Sequence, residues 1–427
     1  MTTLYSLYLH IPFCRHRCAY CDFNTYAGQE ESIAGYVDAL CREIEFTGKN
    51  APQRLTLHTV FFGGGTPSLL TPRQFESVFH AISDNFELSD PEITIEANPG
   101  TVSLSNLRDL RSLGINRISF GVQSANPFEL RMLERAHSYF DVINAVTWAR
   151  KAGFDNLNLD LIYGLPLQTL ENWSATVKLV LGLAPEHLSL YALTLEHGTP
   201  FGRWSARGLM PLPDPDVAAD MYEWAGETLE AAGYQQYEIS NWARTKDETI
   251  HPSSFILPPS YACRHNLQYW RGLPYLAAGA GAHGYVNGYR YSNVLRIKTY
   301  IDRLANYQLP SKDYEFPLTP ATVNHHLQSN QDDMGEFMLT GLRLTREGVS
   351  AGTFREHFGQ EMNAVFGAEI EDLVRLGLLE WVDFPLPMGR VPEGVEGLGE
   401  VPGKGMRIRL TRRGRLLGNQ AFIRFVA

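Results

Sequence analysis

Three cysteines, Cys14, Cys18 and Cys21, fall within eight residues in the stretch HIPFCRHRCAYCDFN, and the whole chain has only five. Spaced by three residues and then by two, their thiolates can converge on one metal centre from a single loop. Zinc is one reading, with His10 or His16 as a fourth ligand. Structural zinc, however, commonly draws on paired knuckles, and no second CxxC occurs in the chain. A cysteine-held iron–sulfur cluster accounts for the spacing better. Three local thiolates would leave one iron of a [4Fe–4S] cluster open to an exchangeable ligand. Cys41, in AGYVDALCREIEF, reads as a small hydrophobe on a helix, and Cys263 stands apart.

The triplet follows a strand-like run, LYSLYLHI, which puts it at a strand's carboxyl end. Five more such runs succeed it: TLHTVFFG (56–63), EITIEANP (92–99), RISFGVQS (117–124), NLNLDLIYG (156–164) and HLSLYALT (187–194). Helical patterns lie between them, including 73–86, 104–113 and 139–152. Strands alternating with helices at this spacing predict βα units and a parallel sheet. Six units are too few for a closed eight-fold barrel and suit an open one, so the expected class is α/β with a partial (β/α)6 barrel. Ligands of such sheets bind beyond the carboxyl ends of the strands. At those ends stand the glycine-rich GGGTPS (63–68), Glu96, Gln123 and, within the fifth run, Asp160. A lone glycine run is an ordinary strand-to-helix turn, and one polar residue per strand is ordinary edge chemistry. Several on one rim beside a cysteine triplet mark a site.

Composition narrows the class. A chain of 427 residues suits two or three domains, and 44% hydrophobic residues fit a soluble globular protein. No apolar run of about 18 residues is present, so no transmembrane segment is expected. MTTLYSLYLHIP lacks the basic-then-apolar pattern of a leader. The expected location is the cytoplasm, with peripheral membrane association left open. Cysteine usage argues against a disulfide framework. A net charge of −10 argues against a general nucleic-acid binder, whose affinity comes largely from phosphate neutralisation.

Together CxxxCxxC, GGGTP and the six βα units resemble the radical S-adenosylmethionine (SAM) superfamily. HIPFC, YCDF, FFGGGTPSLL, IEANPGT, RISFGVQS and DLIYGLP are similar to the branch that holds oxygen-independent coproporphyrinogen III dehydrogenase and the HemW-like haem chaperones. The resemblance covers nearly the whole chain. It implies that Cys14, Cys18 and Cys21 hold a [4Fe–4S] cluster whose open iron is chelated by the amino and carboxylate groups of SAM. It also implies SAM contacts from Tyr8, Tyr20, Gly64, Gly65, Thr66, Glu96, Gln123, Arg135 and Asp160. Carboxylates can accept from an ammonium or ribose hydroxyls, Arg135 can pair a carboxylate, and Tyr20 can pack on adenine. Taken without the resemblance, Arg135 in ELRMLERAHS reads as a solvated helix charge.

Within that branch, the dehydrogenases carry a further cysteine two places after the third, whereas the chaperones carry phenylalanine. Here the residue is Phe23. A second marker is His265-Asn266-Leu267-Gln268-Tyr269-Trp270, which resembles the HNxxYW signature associated with haem binding. The resemblance implies His265 as the haem-iron ligand, with Tyr and Trp able to cover a porphyrin face. Without it, the segment reads as a core histidine beside packing aromatics. Cys263 and His283, in GAGAHGY, are lesser candidates, and the glycines around His283 suggest a tight structural turn.

The expected function is therefore a haem chaperone that binds a cluster, SAM and haem and delivers haem to acceptor proteins, with an electron donor for the cluster. The alternative is the dehydrogenase itself, disfavoured by Phe23 and HNxxYW. An RNA-modifying radical SAM enzyme is a third reading, weakened by charge and by the lack of an appended RNA module. The expected domains are a barrel over 1–210, a connecting region with the haem motif over 211–314, and a C-terminal winged-helix-like α+β domain over 315–427. The segment 245–262 lengthens the connection to HNxxYW, and the hairpin tip at 385–405 is rich in Gly and Pro. Winged helices often bind DNA, but the acidic total and the lack of a basic stripe argue against it here.

Overall fold

A computed structural model describes residues 3–246, 258–305, 313–384 and 405–426. The chain makes two compact units, one from 1–228 with 275–326, the other from 229–274 with 327–427. In the first, β1 (Leu4–Ile11), β2 (Thr56–Gly64), β3 (Glu87–Ala97), β4 (Arg117–Gln123), β5 (Leu157–Tyr163) and β6 (His187–Ala192) pair in parallel and in chain order. On the other side of β1, Tyr275–Ala278 adds a further parallel strand. His283–Val286 and Tyr289–Asn293 then continue the sheet antiparallel, and Thr322–Leu327 follows them. The α/β class and the open parallel barrel are as expected.

Sequence alternation explains why this sheet can hold a polar site. Strands of buried parallel sheets usually read as continuous apolar runs. Here one face carries Leu7, Leu9, Val60, Phe62, Ile95, Ile118 and Phe120, all buried. Phe62 packs edge-on against Phe75 and Phe79 of helix Pro72–Asn85, with ring centroids 5.2 and 5.7 Å apart. Each such side chain contributes about 1.5–3 kcal/mol of burial. The opposite face, level by register, carries Ser6, Tyr8, Thr94, Glu96, Arg117, Ser119, Asn158, Asp160, His187 and Ser189. It lines the lumen of the partial barrel.

Side-chain caps fix where each helix starts, and so how much loop remains at each strand's carboxyl end. Thr71 and Gln74 form a capping box at Pro72–Asn85, and Ser138 and Asp141 form one at Tyr139–Lys151. Ser103 and Thr169 cap Leu104–Ser112 and Leu170–Leu181. The residues between strand and cap carry the candidate chemistry.

The late segment 275–326 is tied to the first helix, Ile33–Asn50, by one buried carboxylate. Glu43 accepts from Gly279 N (2.8 Å), Asn293 Nδ2 (2.7 Å), Tyr300 Oη (2.6 Å) and Thr319 Oγ1 (2.8 Å). Burial pushes its pKa up, against the pull of those four bonds. The same segment meets the cysteine loop through Asn24, whose Nδ2 donates to Ala280 O (2.9 Å) and Leu295 O (3.0 Å).

In the second unit, helices Asn330–Gly341, Ala351–Phe358 and Met362–Arg375 precede an antiparallel hairpin, Leu379–Phe384 with Gly405–Leu410. Val349–Ser350 pairs on the hairpin's other side, giving the winged-helix-like arrangement around Met338, Phe354, Ile370 and Ile408. Most of the 245–262 insertion (247–257) and the hairpin tip (385–404) lie outside the described residues.

Candidate functional site

The cysteine loop leaves β1 at the rim of the lumen, and all three thiols are free and partly buried. Cys14 Sγ lies 3.6 Å from Thr66 Oγ1, Cys18 Sγ 3.7 Å from Arg135 Nη1, and Cys21 Sγ 4.0 Å from Thr25 Oγ1. Burial raises the pKa of Cys14 and Cys21; for Cys14 the other two thiols add to it, while the Thr66 hydroxyl and the Arg135 charge oppose it. Binding a metal here must therefore release protons, helped by Arg135. Cys41, pushed up to about 11 by burial, sits away on the first helix.

His10 and His16 are turned to other partners. His10 Nδ1 meets Tyr8 Oη at 2.9 Å and its Nε2 meets Asn24 O at 2.9 Å, while exposed His16 pairs with Glu134 at 3.2 Å. Among the described residues no three His, Cys, Asp or Glu side chains surround a position for one metal ion. A single zinc would need its thiolates about 3.8 Å apart on ~2.3 Å bonds, whereas a four-iron cluster takes each thiolate on a separate iron. The donor set, three thiols flanked by a guanidinium, suits an anionic cluster.

The glycine turn presses against this loop. Gly65 N donates to Ile11 O (2.9 Å) and Thr66 N to Phe13 O (2.8 Å). A Cβ on Gly65 would lie 2.7 Å from Ile11 O and 2.6 Å from Phe13 O, so only glycine permits the approach. Gly64, at φ +105°, gives its N–H to Glu96 Oε2 at 3.0 Å. Tyr8 is partly buried beside them, its ring stacked 6.2 Å from Phe61.

Across the lumen, Arg135 is no solvated charge. It donates to Asn98 Oδ1 and to Gly121 O (2.6 Å), and Asn98 Nδ2 in turn donates to Thr66 Oγ1 (2.8 Å). Asn98, within IEANPGT, is the linking residue that sequence reasoning missed; its only signal was its place just past a strand end. A bulge in β4 puts Gln123 at φ +68° and folds its amide back over Gly121. Gln123 Oε1 and Arg135 Nε are buried with no hydrogen-bond partner among the described residues. An unmet acceptor and an unmet donor on one rim suit a ligand that carries both an ammonium and a carboxylate.

Deeper in the lumen, Asp160 accepts from Ser119 Oγ and Asn158 Nδ2, each at 2.8 Å. Burial still raises its pKa. Glu96 is raised to about 7 by burial and by Asp160, with Gly64 N–H and Arg117 acting the other way. Tyr20 joins Ala19, Leu133, Ile162, Leu165 and Phe201 in an apolar cluster, its ring 6.4 Å from Phe201.

His265 belongs to the second unit. Helix Arg264–Trp270 buries His265 to 1% exposure, with Nε2 2.8 Å from Tyr269 Oη and the rings edge-on at 4.9 Å. Trp270 lies under the Arg343 guanidinium at 4.2 Å, and Cys263, also buried, receives no side-chain cap role.

A parallel open barrel with a cysteine loop and a glycine turn at its rim defines a radical SAM protein. The description "Radical SAM superfamily" matches residues 8–180, and "HemN C-terminal domain" matches 328–381. The chain is 35% identical to heme chaperone HemW of Bacillus subtilis over 99% of both chains. It is 33% identical to HemW of Lactococcus lactis over 99% of this chain and 97% of that one. Among solved structures, coproporphyrinogen III oxidase (HemN) from Escherichia coli, a radical SAM enzyme, shares the fold at TM-score 0.75 and 24% identity, over 99% of this chain and 90% of that one. The chain belongs to the HemW family of radical SAM proteins. Among the described residues no helix is long and apolar enough to cross a membrane.

Proposed function

We propose that this protein is a haem chaperone: it holds a [4Fe–4S] cluster and SAM in the barrel, binds haem as cargo, and passes it to acceptor proteins in the cytoplasm. The observation that carries the reading is the end-to-end match to HemW at 35% identity over 99% of both chains. Phe23 supports it. The side chain is 63% exposed beside the cysteine loop, at the position where the dehydrogenases carry a thiol.

Cys14, Cys18 and Cys21 would hold the cluster, which when bound supplies an open iron for SAM and accepts an electron from a donor protein. Around it, the protein's own groups bind and orient. Gln123 Oε1 and the Glu96 carboxylate are acceptors for the N–H groups of an amine, and Arg135 is a donor to a carboxylate. Gly64, Gly65 and Thr66 bring backbone close, Tyr8 and Asp160 line the lumen, and Tyr20 with Phe201 offers an apolar wall. The HNxxYW resemblance points to His265 as one candidate ligand for the haem iron. As folded, Tyr269 holds its Nε2, so ligation requires that hydroxyl to give up the nitrogen.

The test is to incubate the reconstituted protein with SAM, reductant and coproporphyrinogen III, beside a haem titration. Haem binding without formation of protoporphyrinogen IX is expected. Turnover at about one per minute or faster would establish the dehydrogenase instead.

A further inference from the structure

The strands Tyr275–Ala278, His283–Val286 and Tyr289–Asn293 present a second set of groups to the lumen. Register sorts their side chains. Gly284 faces Tyr291 across the pair, and a Cβ on Gly284 would fall within 2.4 Å of that ring, so both occupy the outer face. The other face then carries His283, Tyr285, Arg290 and Ser292, together with Tyr275, which is paired to Tyr285. Tyr275 is level with Ser6 and Ala277 with Tyr8, so this face continues the one that bears Tyr8.

On it, the Arg290 guanidinium lies over two rings, 4.3 Å from the centroid of Tyr285 and 5.7 Å from that of Tyr275, and donates to Tyr275 Oη. The rings themselves are 6.3 Å apart. His283 is exposed, and its imidazole has no hydrogen-bond partner among the described residues. A guanidinium fixed flat by aromatic rings suits a carboxylate, the tyrosines suit the edge or face of a planar ring, and an imidazole without a partner suits a metal. One kind of molecule answers all three: a planar metal-bearing ring with carboxylates on its periphery.

We propose that this face is where haem lands in the first unit, with His283 bound to the iron, Arg290 paired with a propionate, and Tyr275 and Tyr285 bordering the ring. The proposal rests on the haem-chaperone reading and deepens it. It places cargo on the same sheet face as Tyr8, at a position whose imidazole is open, whereas that of His265 is buried against Tyr269.

The full-length protein is titrated anaerobically with iron protoporphyrin IX and followed by its Soret band. His283→Ala should weaken binding by about tenfold or more and shift the band, and free imidazole should restore it. Arg290→Gln should weaken haem several-fold but leave the affinity for haem dimethyl ester, which lacks the carboxylates, unchanged. Cluster iron content and far-UV circular dichroism control for folding. Wild-type affinity and spectrum in His283→Ala, with the signal lost in His265→Ala instead, would overturn the landing site and leave the chaperone intact. No haem binding by the wild type would overturn both.

Discussion

Glu43→Gln keeps the shape of a buried side chain and removes its charge, which isolates the tie between the first helix and segment 275–326. Its Oε1 accepts from Asn293 Nδ2 and Thr319 Oγ1, and its Oε2 from Gly279 N and Tyr300 Oη. An amide must turn one of those oxygens into an NH2 donor. The hydroxyls of Thr319 or Tyr300 can rotate to accept from it. Gly279 N–H cannot, and Asn293 Nδ2 is also committed to Gly279 O at 3.0 Å. Either amide orientation therefore leaves one N–H facing another donor. One unmet buried donor plus the loss of charge assistance in the remaining bonds comes to about 2–4 kcal/mol, a range that allows for the relief of no longer burying a charge. The assay is hydrogen exchange read by mass spectrometry. Peptides spanning 275–305 should exchange roughly thirtyfold to several hundredfold faster, while those of β3 to β5 keep their protection. Unchanged exchange in 275–305, or equal acceleration throughout the barrel, would refute the tie.

Three further outcomes are expected. Replacing Cys14, Cys18 or Cys21 with Ala should abolish the roughly four irons per chain of a reconstituted cluster, while Cys41→Ala keeps them; stoichiometric zinc without any iron–sulfur signal would reject the assignment. SAM affinity should fall as pH drops through about 7, because the raised Glu96 must be ionised to accept fully from the SAM amino group. Between pH 8 and pH 6 the ionised share drops from about nine-tenths to about one-tenth, a loss of roughly tenfold, and calorimetry on Glu96→Gln should give a flat profile; a flat wild-type profile would sink the contact. Gly65→Ala must push the glycine turn off two carbonyls of the cysteine loop at a cost of about 1–3 kcal/mol, so both iron content and SAM binding should drop, and normal values for both would show the turn to be adaptable.

Much of the first unit was legible in its sequence because each strand carries its own signal. The run 4–11 coincides with β1, and 117–124 and 156–164 fall within a residue of β4 and β5 at each end. The alternation that makes a lumen was present too, in LNLDL and TLHTVFF, but it carries no information on which side will be hollow. Residues whose meaning depends on long-range closure were not legible. Arg135 has an ordinary helix-surface context in sequence, and only the meeting of three strand ends brings it to Cys18, Asn98 and Gly121. Likewise GAGAHGY reads as a turn, and nothing local says that His283 emerges on the face shared with Tyr8. Glu43 gave no sign at all, since its four donors come from residues more than two hundred positions away.

The placement of β1 has a consequence for biosynthesis. It is the first strand made, yet it lies between β2 and Tyr275–Ala278, so one side of its ladder has no partner until the chain has grown past residue 278. At about 5–20 residues per second the ribosome needs roughly a quarter to nearly a full minute to cover that distance. Throughout that time LYSLYLHI offers an open row of backbone donors and acceptors at the edge of a nascent sheet, and the cysteine loop that follows it lacks the Ala280 and Leu295 carbonyls that later anchor Asn24. The cysteine loop is thus translated early and braced late, which makes residues 275–278 the natural point to stall a nascent chain when the timing of cluster insertion relative to that bracing is to be measured.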